Sequence, residues 1–142
     1  MIYVASDHAG FELKEKIKQY LDKLELEYID LGANSTESVD YPVYAKALAE
    51  EVASSENARG ILICGTGIGM SIAVNRFKKV RGALCCSVKT AKLARQHNDA
   101  NVLVLGARSK TMKFKYKKII NTFLNTNFEG GRHVKRVELL DM

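Results

Sequence analysis

Cys64 ends an apolar run and stands directly ahead of Gly65-Thr66-Gly67-Ile68-Gly69. A thiol between a buried strand and the positive end of a helix is in a setting that favours the thiolate, the form that acts as base or nucleophile. The bland alternative, a small buried core residue, suits Cys85 and Cys86 better. The turn's backbone N–H groups can cradle an anion or a developing oxyanion at the start of the next helix, although a tight structural turn uses the same glycines. It is not a dinucleotide fingerprint: Met70 stands where the third glycine of G-x-G-x-x-G belongs, and no acidic residue ends the next strand.

Other polar residues lie at comparable boundaries. Asp7-His8 closes the first apolar run, where the pair suits acid/base work, a ring-oxygen contact or a phosphate contact, with a helix cap as the structural alternative. His97-Asn98 ends a helix, where a capping or surface histidine is equally at home. His8 and His97 are expected to face one rim. Arg108 follows the fifth apolar run, and Arg132 and Arg136, four residues apart, project from one side of a helical tail and can grip a phosphate dianion or simply face solvent. No H-E-x-x-H, C-x-x-C or carboxylate cluster occurs, so no metal site is expected.

These residues need a frame that brings distant segments together. Short apolar runs alternate with amphipathic ones, the pattern of βαβ units. The spacing predicts strands over 2–6, 27–31, 60–64, 82–86 and 102–105, and helices over 11–24, 41–54, 68–77, 90–96 and 109–124. Pro42 falls where a first helical turn tolerates proline. Gly130-Gly131 separates the last helix from a basic tail, 132–142. The expected fold is α/β: one doubly wound, Rossmann-like, five-stranded parallel sheet with helices on both faces and a C-terminal helical tail. Ligands of such sheets bind outside the strand C-termini.

At 142 residues the chain is sized for a single domain, 1–142. Its 46% hydrophobic and 27% charged residues are those of a soluble globular protein. No apolar run approaches the roughly 18 residues of a membrane span, and the first residues lack the marks of a secretory signal. Three cysteines without framework spacing fit a reducing compartment, hence a cytoplasmic location. A net charge of +6 suits an anionic partner, either nucleic acid or a phosphorylated metabolite. Lys110, Lys113, Lys115, Lys117 and Lys118 read as a solvated helix face, with Phe114, Tyr116 and Phe123 turned to the core. Aromatics are 8% of the chain with no Trp, too few to interleave a nucleic-acid track.

Taken together, Ser6-Asp7-His8-Ala9-Gly10, Asp40-Tyr41-Pro42, Gly60 through Gly69, Arg95-Gln96-His97-Asn98-Asp99 and Glu129-Gly130-Gly131-Arg132-His133 resemble the type B ribose-5-phosphate isomerase family, which includes the subunits of galactose-6-phosphate isomerase. The resemblance runs in order along nearly the whole chain. Some members replace the cysteine by a glutamate a few residues later; here that position is Met70, so the cysteine form is implied.

The resemblance implies a metal- and cofactor-free exchange of ribose 5-phosphate with ribulose 5-phosphate through a cis-enediolate. Cys64 would carry the proton between C2 and C1. Thr66 and the amides of Gly65, Gly67, Ile68 and Gly69 would hold the oxyanion, and His97 would open the furanose with help from Asp7. Asn98 would contact the intermediate and Tyr41 line the pocket. His8, Arg108, Arg132 and Arg136 would clamp the phosphate. The family shares its site across a homodimer, with His97, Asn98 and Arg108 supplied by the partner and residues 126–142 adding phosphate and dimer contacts; dimer and tetramer both stay open for this chain. A hexose-6-phosphate isomerase, galactose- or allose-type, is the alternative activity, and a non-catalytic phosphate- or nucleic-acid-binding module the alternative class. The expected partners are a sugar phosphate and a second copy of the chain, with no nucleic acid and no membrane.

Overall fold

The computed structural model describes residues 1–142. Strands β1 (Ile2–Ser6), β2 (Tyr28–Asp30), β3 (Arg59–Cys64), β4 (Gly82–Leu84) and β5 (Val102–Gly106) form one sheet in the order β2-β1-β3-β5-β4, every neighbouring pair parallel. The helices are α1 (Phe11–Lys23), α2 (Tyr41–Ala53), α3 (Ile68–Val74), α4 (Val88–Asn98), α5 (Met112–Asn125) and α6 (His133–Glu138), ending in a 3₁₀ turn, Leu139–Asp141. The expected α/β architecture is thus the observed one. No helix is long and apolar enough to cross a membrane.

Strand alternation sorts the core into two layers. Ile61, Ile63, Leu103 and Leu105 pack with α1, α4 and α5 on one face. Leu62, Cys64, Val102 and Val104 pack with α2 and α3 on the other. β3 and β5 are buried on both faces, so each of their leucines and isoleucines contributes about 1.5–3 kcal/mol. The edge strands β2 and β4 have three residues each and add little. The site is therefore mounted on the most firmly held part of the sheet.

Several expectations change. α3 ends at Val74 rather than residue 77, α5 begins at Met112 rather than residue 109, and Cys86, expected in the core, is exposed while Cys64 is buried. β4 stops at Leu84 rather than residue 86, although the Cys85 N–H still bonds the Val104 carbonyl at 3.1 Å, because Ser87 starts α4 by accepting from the Thr90 N–H. Phe114 does not face the core: it is 75% exposed, because two residues from Met112 and two from Tyr116 put it on the side of α5 opposite the buried stripe of Met112, Tyr116, Ile119, Ile120 and Phe123.

A fully buried cation braces the sheet's edge. Lys14 Nζ donates to Asp30 Oδ1 and to the Ala33 carbonyl, both at 2.6 Å, while Lys18 Nζ reaches Asp30 Oδ2 at 2.8 Å. Burial alone works against charge on Asp30, but bonds from Lys14, Lys18 and the Gly32 N–H hold its carboxyl below the usual range. Replacing Lys14 by Met would strand the Ala33 carbonyl and half of this carboxylate. A loss of about 2–3 kcal/mol is expected, measured by urea unfolding at pH 7. Because the folded carboxyl lies below its unfolded value of about 3.9, its contribution is complete above that pH and drains away as pH falls through the folded value. The gap between wild type and Lys14→Met should therefore narrow below about pH 4.

Candidate active site

Parallel pairing places three strand ends side by side. Ser6 is in register with Ile63, and Cys64 with Gly106. The chain beyond each strand remains tied to its neighbour: the Asp7 N–H bonds the Ile63 carbonyl at 3.2 Å, the Ala107 N–H the Cys64 carbonyl at 2.8 Å, and the Arg108 N–H the Gly65 carbonyl at 2.9 Å. Asp7, Cys64, the glycine turn and Arg108 accordingly meet at the C-terminal rim.

Cys64 is 5% exposed, and its Sγ accepts a hydrogen bond from the Gly67 N–H at 3.1 Å. That bond strengthens when the sulfur is an anion. The turn can present the amide because Gly67 has φ of 81°, in the left-handed region that favours glycine. Thr66 is exposed, its Oγ1 accepting from the Ile68 N–H at 3.2 Å. Gly65 has no side chain where the Arg108 guanidinium lies: a Cβ there would come within 2.8 Å of Nη1. The Tyr41 ring stands over Gly69, 2.7 Å from where a Cβ would be. Asp7 Oδ1 accepts from the Gly10 N–H at 3.0 Å, which closes the turn ahead of α1 rather than capping the helix, whose N-cap is Gly10, and leaves its other oxygen free of protein partners. His8 Nδ1 accepts from the Val39 N–H at 3.2 Å, leaving Nε2 for a ligand.

His97 is elsewhere. It lies in the last turn of α4, which returns antiparallel to the strands, and β5 starts four residues beyond Asn98. The Asp99 carbonyl accepts from Arg81 Nε at 2.9 Å and Asn101 bonds Arg81 and Gly60, all at strand starts. The expectation that His8 and His97 share a rim is therefore corrected: five residues of β5, about 16 Å of strand, separate the two edges. Arg108 is likewise misplaced by its expected grouping with His97, since it stands against Gly65 of its own chain.

The N-terminal rim carries a second collection. His97, Asn98, Arg132, His133 and Arg136 line a cavity of about 330 Å³. The His97 and His133 rings stack 4.5 Å apart at 15°. Glu129 Oε2 sits 3.8 Å from His97 Nε2 and 3.7 Å from His133 Nε2, and the Glu129 N–H bonds the Gln96 carbonyl at 3.0 Å. Loss of water around the His133 ring, with His97 and Arg132 beside it, holds that imidazole below the usual histidine range. Sequence reasoning missed Glu129 and His133. Their four-residue spacing was the available signal, disguised by Gly130 and Gly131, which both have positive φ. A roomier cavity of about 770 Å³ includes Arg59, Arg81 and Asp99 but touches neither collection.

The chemistry is thus divided. One rim offers a thiol, amide donors, Asp7, His8 and Arg108; the other offers an imidazole, an amide side chain and two arginines. None of Arg108, Arg132 and Arg136 is in an ion pair, so all three guanidinium groups can take an anion. The two rims of one chain cannot act on one small molecule. Two chains, each offering the opposite rim, can.

Comparison with known proteins puts this arrangement in context. The sequence profile described as Ribose/Galactose Isomerase matches residues 2–140. Ribose-5-phosphate isomerase B of Escherichia coli is 46% identical over 134 residues, covering 94% of this chain and 89% of its own. The structure of a ribose 5-phosphate isomerase from Thermotoga maritima superposes with a TM-score of 0.92 at 51% identity, over 99% of this chain and 96% of that one. That of ribose-5-phosphate isomerase B from Mycoplasma genitalium, with bound ribulose-5-phosphate, gives 0.93 at 45% identity, over 98% and 92%.

Proposed function

Because this chain belongs to the ribose/galactose isomerase family, we infer that it interconverts D-ribose 5-phosphate and D-ribulose 5-phosphate, an aldose–ketose exchange of the pentose phosphate pathway, at a centre assembled from the opposite rims of two chains. The observation that carries the reading is Cys64 Sγ at the end of β3, bonded by the Gly67 N–H and neighboured by Asp7, Thr66 and Arg108.

In this mechanism the Cys64 thiolate removes the proton from C2 of the open-chain aldose and the electron pair moves to C1–O. In the resulting cis-enediolate the C2 hydroxyl proton passes to the C1 oxygen, the C2–O electron pair forms the new carbonyl, and C1 takes the first proton back from the thiol, which returns to thiolate, so atoms and charge balance without a metal or redox cofactor. The amides of the glycine turn and the Thr66 hydroxyl face the oxygen on which charge develops. His97 of the second chain supplies the proton that opens the furanose, Asp7 assists at the anomeric hydroxyl, and Asn98 of the second chain contacts the intermediate. His8 and Arg108 on one side, and Arg132 and Arg136 on the other, hold the phosphate, while Tyr41 closes the pocket wall. Residues 126–142 thereby serve both phosphate binding and the dimer contact within one isomerase domain, and dimers are free to pair further. Three free thiols and a phosphorylated substrate suit the cytoplasm.

Following ketose formation from ribose 5-phosphate, with allose 6-phosphate and galactose 6-phosphate run alongside, tests the reading. Turnover fastest on the pentose and insensitive to chelator is expected; no turnover of ribose 5-phosphate would end it. Removing one anchoring arginine, by Arg136→Ala, takes away a charge-assisted contact of about 1.5–3 kcal/mol. The expected fall in kcat/KM is about 10- to 150-fold. Part of it should appear in kcat, since phosphate binding also orients the reacting carbons. Unchanged kinetics would remove Arg136 from the clamp.

A further inference from the structure

Glu129 Oε2 lies between two imidazole nitrogens, 3.8 Å from His97 Nε2 and 3.7 Å from His133 Nε2. The three ligand atoms all fall within 4.8 Å of one another. Ligand atoms around tetrahedral zinc, each about 2.0–2.1 Å from the ion, are spaced by about 3.3 Å. Closing the set takes about 0.5 Å of approach by the 49%-exposed Glu129 carboxylate and up to about 1.5 Å between the two imidazole nitrogens as the rings turn out of their stack toward a shared ion. Two imidazoles and a carboxylate are a donor set that favours zinc, copper and nickel over magnesium or calcium.

The supporting framework is already ordered. α4 positions His97, and the Glu129 N–H bonds the Gln96 carbonyl at 3.0 Å, so the carboxylate is tied to the residue preceding that histidine. His133 opens α6 and is almost entirely covered, its ring held against His97. The adjoining cavity of about 330 Å³ leaves room for a water as fourth ligand.

We propose that His97, Glu129 and His133 form an inhibitory site for a divalent d-block ion, zinc fitting best, which when filled withdraws the His97 imidazole from ring opening. The inhibitory half of this claim rests on the isomerase reading above; the binding half does not. Zinc on Nε2 occupies the lone pair that would carry the transferable proton, so the ion excludes the acid form of His97 directly. The site is a brake on an enzyme that needs no metal.

Equilibrium dialysis of the full-length protein against buffered zinc tests binding, in a Cys64→Ser, Cys86→Ser background that removes the thiol of the catalytic pocket and the exposed one. One zinc per chain is expected, and loss of a ligand by Glu129→Gln or His133→Asn should weaken binding by at least about 100-fold. Glu129→Gln is isosteric at an exposed position, so it remains informative if His133→Asn, at a buried one, disturbs the fold. Equal zinc affinity in the Glu129→Gln protein, or no zinc bound without the thiols, would overturn the site. In the cysteine-intact enzyme, zinc should inhibit ribose 5-phosphate turnover reversibly, and Glu129→Gln should move the midpoint up by at least about 100-fold. Full occupancy without inhibition would overturn the braking role. A protein that binds zinc as described yet never isomerises a sugar phosphate would instead refute the function proposed above.

Discussion

Cys64→Ala should lower kcat/KM for ribose 5-phosphate roughly a thousandfold, the effect expected when a general base is removed from a proton transfer. Its loss should leave the fold in place, because the thiol is a small group in a layer held by Leu62, Val102, Val104 and Leu48, and a truncation of this size costs about 1 kcal/mol. The Arg108 guanidinium and the glycine turn are positioned by the backbone bonds Ala107 N–H to Cys64 carbonyl and Arg108 N–H to Gly65 carbonyl, neither of which involves the side chain. Stabilisation by ribulose 5-phosphate in a thermal melt should therefore survive in the variant. An inactive protein that also no longer binds sugar phosphate would point to a collapsed pocket instead, and an active one would dismiss Cys64 as the base.

Mixing two dead proteins should restore activity. Cys64→Ala disables the C-terminal rim and His97→Asn the N-terminal rim, so each homodimer is defective at both of its centres. In a mixed dimer both lesions fall in one centre and the other is intact. Random exchange between equal amounts makes half the dimers mixed, with one of their two centres working, so about a quarter of wild-type activity should return. Activity no greater than the sum of the parents would mean that each chain acts alone. That result would be hard to reconcile with β5 standing between the two rims.

The frame was legible because its signal is local. β3 and β5 are continuous apolar runs and α1 and α5 repeat at helical spacing, so the parallel α/β sheet followed from pattern alone. The Cys64 turn was legible for the same reason, since strand, cysteine and glycines are consecutive. What the pattern did not carry was direction. His97 was recognised at a helix end, but a helix that returns between parallel strands finishes at their starting edge, which puts it opposite His8. The placement of β5 between β3 and β4 was also not visible, because strand order is decided by packing among distant segments. Phe114 shows a third limit: its apolar type suggested the core, but its position on α5 is opposite the buried stripe, among the lysines. Glu129 and His133 escaped because their meeting with His97 depends on the backbone turning through Gly130 and Gly131.

The separation of the two rims also has an evolutionary consequence. A gene encoding such a chain can be duplicated and its copies left to drift, one keeping the sulfur and the other the imidazole. Selection would still see one working centre per pair, and the surrendered centre would be free to acquire another ligand. Heteromeric descendants with a division of labour are thus open to this architecture from the start, with no change of fold required.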